Sequence, residues 1–310
     1  ERMLVLERGP IQSRKHRSMQ LRPDLSIVAP ALAAFGFAAT LSSGAVSAVT
    51  PDIVPHQAVY ALSLGSRVAG ADINDVQGSM LFRWADMCEG WEVEQRYVLD
   101  FIYSEGQVLK LSSSYETWEA KDHSAFNFSY RTETNGEVDK DIQGVATIPT
   151  DDSPGVARYR QPDRVTEDLP AGTFFPTGHT VELLQNAVTG VNFFTVNLFE
   201  GTDVQSAIEL SAIIGKAVLG NVPAGDESVS DDAVADATDP AASSLTKVRS
   251  WPIRLAFFPA DEQLAEPEYE MSMRLFENGV VDELVIDYGE FQVLGKLARI
   301  EAITDGGCSP

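Results

Sequence analysis

From His56 onward, the apolar residues of this 310-residue chain fall on every second position, and that period decides most of what the chain can become. Ala58, Tyr60, Leu62 and Leu64 share one face of a first segment, and Met80, Phe82 and Trp84 share a face of a second. Trp91, Val93, Tyr97, Leu99, Phe101 and Tyr103 do the same in a third, with Gln95 as one polar interruption. Such alternation turns one face of an antiparallel strand to a core and the other to water. Asn135-Gly136 and Asn278-Gly279 each separate two such runs. Both pairs predict type I′ hairpins, because Asn and Gly tolerate the positive φ angles that turn demands. Further strands are expected at 108–118, 156–161, 193–199, 204–214, 253–258 and 291–303.

One stretch departs from this rhythm. Over 179–188, Val181, Leu184 and Val188 recur at helical spacing beside Leu183 and Ala187, and Gly190 follows as a stop. The Pro-rich entry at 169–176 is unsuited to a strand interior. About a dozen antiparallel strands and one helix predict an all-β, spiral or barrel-like sheet bent around a central helix. Closing or spiralling the sheet would also remove exposed strand edges.

The first 48 residues belong to a different pattern. Arg2, Arg8, Arg14, Lys15, Arg17 and Arg22 precede an apolar run from Leu25 to Leu41, and small residues follow up to Val46-Ser47-Ala48. A basic region, a short apolar region and small residues at the cleavage positions predict a secretory signal cut after Ala48. Met19 would open a signal of ordinary length. This run of seventeen residues, broken by Pro30, is too short to span a bilayer. The expectation is one exported all-β domain over 49–310, with no transmembrane span and no lipobox cysteine.

Charge narrows the partners. The chain has 23 Lys and Arg against 46 Asp and Glu, a net charge of −23. That balance opposes nucleic-acid binding, which rests on cationic neutralisation of phosphates. Part of the acidity lies in 221–247, where Asp226, Glu227, Asp231, Asp232, Asp236 and Asp239 sit among small residues. This composition predicts a solvated, mobile insertion between two strands.

Patterns that carry chemistry are scarce. Cys88 and Cys308 are too few for a zinc cluster and cannot form CxxC. In an exported chain they read as one disulfide, with free thiols or an intermolecular pair as the alternatives. His56, His123 and His179 share no metal-binding spacing, and His179 at the helix start reads as a satisfied structural histidine, with an N-terminal contact or a ligand handle as the alternatives. No GxSxG elbow is present, and Ser244-Leu245-Thr246-Lys247 matches SxxK without its companion motifs. Gly215-Lys216 lacks the glycine at 210 that a P-loop needs. Glu116, Glu119, Asp122, Asp287 and Glu290 could be paired by strands, so an envelope hydrolase acting on glycan stands as an alternative to a binding protein. An acidic structural adaptor for a basic partner is a further one. In Phe174-Phe175, Phe193-Phe194 and Phe257-Phe258, one ring of each pair must leave the primary core.

The order of several short segments resembles a known family. His56 to Leu64, Cys88-Glu-Gly-Trp91, Thr117-Trp-Glu119 and the run from Leu169 to His179 come first. Leu198-Phe-Glu-Gly201, Ile213-Ile-Gly215, Trp251-Pro252, Tyr269-Glu270, Asn278-Gly-Val280, Asp287-Tyr288 with Phe291, and Cys308 continue the series. Together they resemble the family of the periplasmic cell-envelope integrity protein EipB, long a domain of unknown function. The resemblance implies a β-spiral around a central helix and a disulfide between Cys88 and Cys308. It also implies an architecture like that of lipoprotein carriers. A periplasmic role without catalytic residues or cofactor follows, with a lipid, a lipoprotein or a periplasmic protein, such as a tetratricopeptide-repeat protein, as partner.

Overall fold

A computed structural model describes residues 51–151, 153–219, 244–258 and 266–303. The chain divides into Glu1–Val46 and Ser47–Pro310, and every described residue belongs to the second unit. Residues 1–48, expected from the sequence to be a secretory signal, Cys308 and most of the acidic stretch at 221–247 therefore lie outside the described residues.

Among the described residues, fourteen strands form a single antiparallel sheet, two more than a dozen. They are β1 (His56–Arg67), β2 (Ile73–Asp86), β3 (Gly90–Tyr103), β4 (Val108–Ala120), β5 (Ala125–Thr134), β6 (Glu137–Thr147), β7 (Gly155–Gln161) and β8 (Thr166–Leu169). After helix α1 (Pro176–Thr189) come β9 (Phe193–Leu198), β10 (Ile208–Ile214), β11 (Ser250–Phe258), β12 (Tyr269–Phe276), β13 (Val281–Asp287) and β14 (Phe291–Ala302). The sheet runs from β8 back to β1, across to β14, and on to β9. Two meanders of sequential hairpins are thus joined at one seam, the β1–β14 pairing, where His56 lies opposite Ala302.

The sheet is not closed, and β8 and β9 are its two edges. They approach each other where Phe174, just past β8, makes a parallel bridge to Leu198 at the end of β9. The connection from β8 to β9 passes through α1. The loop after β9 also reaches β8, where the Ser206 hydroxyl donates to the Asp168 carbonyl at 2.7 Å.

Three apolar clusters fill the interior. One places Leu183, Leu184 and Ala187 of α1 against Leu210, Ile253, Leu255 and Trp84. A second lies across the seam, with Tyr60, Leu62, Val76, Leu284, Val293 and Ile300. A third packs Phe126, Phe128, Tyr159, Phe175 and Phe199 under β5–β8. The paired aromatics divide as the strand period demands. Phe175 is fully buried in the third cluster, while Phe174 packs on the first. Phe193 stands exposed and Phe194 turns inward, and Phe257 is more buried than Phe258.

Only one of the two Asn-Gly turns is type I′. Asn135 and Gly136 both have positive φ, at 53° and 83°. At the second, Gly279 alone is left-handed, with φ 86°. Its N–H donates to the Phe276 carbonyl and the Phe276 N–H to the Val280 carbonyl, which fits a type I turn closed by a glycine bulge. The reason is that Asn278 is spent elsewhere. It is buried, and its Nδ2 donates to the Leu245 carbonyl at 2.9 Å. That bond involves the end of the 221–247 stretch, of which only residues 244–247 are among the described residues. Ser244 and Leu245 form a helical turn whose Leu245 packs into the second cluster.

Candidate functional site

The strand registers build an apolar chamber inside the sheet. Tyr60 lies opposite Met80, and Met80 opposite Tyr97, so one row of inward side chains crosses β1, β2 and β3. In the next row Gly295, Leu62, Gly78 and Leu99 are neighbours, so leucines alternate with residues that have no side chain. A Cβ on Gly78 would lie 2.1 Å from the Val98 carbonyl and 3.0 Å from Leu99, so the close approach requires glycine there. From the other meander, Met271 lies opposite Ile286, and Ile286 opposite Val293. These rows enclose a cavity of about 220 Å³ lined by Leu99, Phe101, Leu111, Met271, Met273 and Ile286 among others. Gln95, Tyr97 and Tyr288 bring polar atoms to its wall.

Beside the chamber, tyrosines cluster near a half-buried carboxyl group. Gln95 lies opposite Tyr115, and Tyr115 opposite Tyr130, so these three form a row across β3, β4 and β5. Tyr115 and Tyr130 meet edge to face, 5.9 Å apart. On the opposite wall Tyr269 stacks on Phe257 at 4.3 Å and lies 6.3 Å from Tyr288. Glu200, in the loop after β9, is within electrostatic reach of Tyr115, Tyr130 and Tyr269. Its neighbours fix its direction: Phe199 is buried in the third cluster, and Gly201, at φ 69°, lies so close to the Phe128 ring that a Cβ would come within 2.5 Å. The Tyr115 hydroxyl donates to the Glu200 carbonyl.

Glu200 is half-buried. Burial alone pushes its carboxyl up to about 7. Desolvation and the nearby Glu200 charge hold the hydroxyls of Tyr115 and Tyr269 well above the ordinary tyrosine value. Tyr130 is raised by burial and by its coupling to Tyr97, with Glu200 a smaller cause. Burial likewise pushes Tyr288 up to about 12.

A second buried carboxylate has a structural task. The residue before α1 is Phe175, which has no side-chain cap to offer, and Pro176 opens the helix. Glu119 of β4 supplies the missing acceptor. Its Oε2 accepts the Thr177 N–H at 2.8 Å, and its Oε1 accepts the Gly178 N–H at 2.7 Å. Two orphan amides and the positive end of the helix are thereby met from another element. Gly178 is required, since a Cβ there would lie 2.7 Å from His123 Nδ1 and 3.0 Å from Glu119 Oε1.

His123 Nδ1 completes the group at 2.9 Å from Glu119 Oε1. The hydrogen bond to Glu119 raises the imidazole above 6.5, against a smaller opposing effect of burial. Its stabilising contribution is therefore complete below pH 6.5 and disappears as pH rises through the higher folded value. With the side chain 39% exposed, the contribution is expected to be under about 1 kcal/mol. His123→Ala should lower the unfolding free energy by that amount at pH 5.5 and leave it unchanged at pH 8.5, as urea titrations at the two pH values will read. Equal losses at both would mean that packing, not charge, is what His123 contributes.

The other sequence candidates are placed apart. His179 is 5% exposed, lies 6.1 Å from the Phe194 ring, and burial drops it to about 4, so it is a neutral packing residue. His56 is fully buried beside Phe82 and Trp84, with Nδ1 2.8 Å from the Val54 carbonyl. The carboxylates considered for a hydrolytic pair make no contact with one another among the described residues, and most have separate engagements. Glu116 is exposed and bridges Arg96, Asp122 accepts from Ser124, and Asp287 accepts from Gly289 and Gln292. Glu290 is exposed. Cys88 sits at φ 67° in the β2–β3 turn, its N–H donating to Asp86 Oδ1 at 2.8 Å. No helix among the described residues is long and apolar enough to cross a membrane.

Sequence reasoning missed Glu200 as a site residue. Its only local signal is the Leu198-Phe-Glu-Gly201 run, where a lone acid sits between a large aromatic and a glycine at a strand end.

Comparison with known proteins adds to this geometry. The family described as EipB-like matches residues 47–304. The chain is 29% identical over 281 residues to the cell envelope integrity protein EipB of Brucella abortus (strain 2308), covering 88% of this chain and 93% of that one. It also superposes, with a TM-score of 0.70 and 27% identity, on the crystal structure of a beta-barrel-like protein of domain of unknown function DUF1849 from Brucella abortus. That match covers 81% of this chain and 99% of the other.

Proposed function

The chain belongs to the EipB-like family, and from that premise we propose that it is a non-enzymatic, exported protein that helps maintain the cell envelope by holding an aliphatic segment of an amphiphile in its chamber. The observation that carries the reading is the chamber itself, walled by Leu, Met, Phe and Ile from both meanders. At about 220 Å³ it is smaller than the roughly 300–1,000 Å³ of sites that engulf drug-sized ligands. It therefore suits part of one chain, not a whole lipid. Each methylene moved into it from water is worth about 0.8 kcal/mol, and the flexible Met271 and Met273 can adapt to its shape. The role in the envelope is supported by the name of the Brucella relative. Export to the periplasm is supported by the basic, apolar and small-residue order of residues 1–48.

The test is binding of N-phenyl-1-naphthylamine, an uncharged apolar dye, to the purified protein. Saturable binding of one dye per chain is expected, and Met271→Trp and Leu111→Phe, which fill the chamber from opposite walls, should each abolish it. Dye binding that survives both substitutions in folded protein, or no saturable binding by the unmodified chain, would sink the reading.

A further inference from the structure

Charge is spread unevenly over the fold, and one rim of the sheet lacks the acidity of the rest. Residues 183–199, 210–219 and 244–258 contain no Asp or Glu, although the chain has 46. They supply β9, most of β10 and all of β11, which lie side by side at one edge of the sheet. The cations they carry are Lys216, Lys247, Arg249 and Arg254. Arg249 is engaged with Glu277 at 3.1 Å. Lys216 and Arg254 are exposed, and no ion pair among the described residues engages either side chain. Asp287 feels the Arg254 charge, but its oxygens accept from Gly289 and Gln292.

The same rim exposes large apolar side chains. Phe193 lies opposite Ile213, and Ile213 opposite Arg254, so the three share one row on the outer face of the sheet. Phe193 is 61% exposed and Ile213 52%. Val191, two residues before Phe193, and Leu219, which follows the Val218–Ser250 bridge, are exposed as well. A shallow groove adjoins the row, lined by Ile213, Val218 and Pro252 together with Arg254, Arg274 and Ser272. Its one acid, Glu283, is bonded to Arg274 at 2.6 Å. Met273 borders both this groove and the chamber.

Contiguous apolar exposure marks a surface that something covers, and here the apolar side chains are interleaved with unpaired cations. An anionic lipid surface answers both, since its headgroups meet Lys and Arg while the acyl boundary takes up aromatic and aliphatic groups. We propose that the β9–β11 rim docks the protein on an anionic lipid leaflet, with Phe193, Ile213 and Leu219 entering the interface and Lys216 and Arg254 meeting lipid phosphates. The acidity of the remaining surface does not oppose this approach, because at physiological salt exposed charges are screened beyond about 8 Å. The choice of a bilayer over an acidic protein rests on the reading of the chamber, whose cargo is the aliphatic part of a molecule that resides in a bilayer.

The test is co-sedimentation with vesicles, using protein purified from the periplasmic fraction. Binding to phosphatidylglycerol vesicles is expected, and binding to phosphatidylcholine vesicles should be several-fold weaker. Raising salt from about 50 to about 300 mM should weaken the anionic case about tenfold. Lys216→Gln and Arg254→Gln should each weaken it about fivefold, and Phe193→Ser should weaken binding to both vesicle types. All three positions are exposed, so the variants should keep the unfolding midpoint of the unmodified protein. Val98→Ser, at a position 56% exposed on β3, should change nothing. Equal binding to the two vesicle types, or binding that survives the three rim substitutions, would overturn the proposal. So would a protein that ignores vesicles and instead associates with itself through Phe193. The dye separates the two readings: dye binding without vesicle binding defeats the docking rim alone, and rim-dependent vesicle binding without dye binding defeats the chamber alone.

Discussion

Glu119→Ala is expected to lower the unfolding free energy by about 3 kcal/mol, because it leaves two buried helix amides without an acceptor. A typical lost helix cap costs about 1 kcal/mol, but this one differs in two respects. The acceptor is a carboxylate that is 1% exposed, so no water stands ready to replace it. It also serves Thr177, Gly178 and His123 together, so one substitution breaks three contacts. Glu119→Gln keeps one oxygen but presents an amide group to N–H donors, and should recover no more than about half of the loss. Guanidinium unfolding followed by tryptophan fluorescence reads both variants. A loss below about 0.5 kcal/mol for the alanine variant would mean that the helix start is not held by this carboxylate.

The same contact marks where sequence reasoning stops. The body of α1 was legible, since Leu183, Leu184 and Ala187 are the buried face that the helical spacing predicts, and Gly190 ends the helix at φ 83°. Its start at Pro176 rather than His179 was not, because the cap lies 58 residues earlier on another strand. Long strands were legible for the converse reason: a period of two over ten residues depends on neighbours in the chain. The four-residue β8 carries too few alternations to be seen, and it exists because Gly155–Arg158 pairs with it. Glu200 shows the limit for the site. Nothing within its own segment distinguishes it from 45 other acidic residues. Its character comes from burial beside tyrosines of β4, β5 and β12, which only the meander order brings together.

The largest effect is expected from the cysteines, and its physical basis is the seam. We propose that Cys88 and Cys308 form a disulfide. His56 pairs with both Trp84 and Ala302, so the ends of β2 and β14 flank the start of β1 at the same end of the sheet. Two strand spacings separate them, about 10 Å. Five residues follow Ile303 to reach Cys308, and an extended chain of that length spans up to about 17 Å, so the connection is within reach. Every other strand pair joins sequential neighbours, whereas β1 and β14 must find each other across nearly the whole chain. A crosslink closing some 220 residues removes roughly 5 kcal/mol of chain entropy from the unfolded state. Cys308→Ser should therefore lose about 4–5 kcal/mol and remain folded, because each meander retains its hairpins and cluster. Reducing the unmodified protein should bring its guanidinium midpoint down to that of the variant. In hydrogen exchange, the amides of β1 and β14 should lose more protection than those of β5 and β6. Coincident midpoints for oxidised protein and variant would show that no such clasp spans the seam.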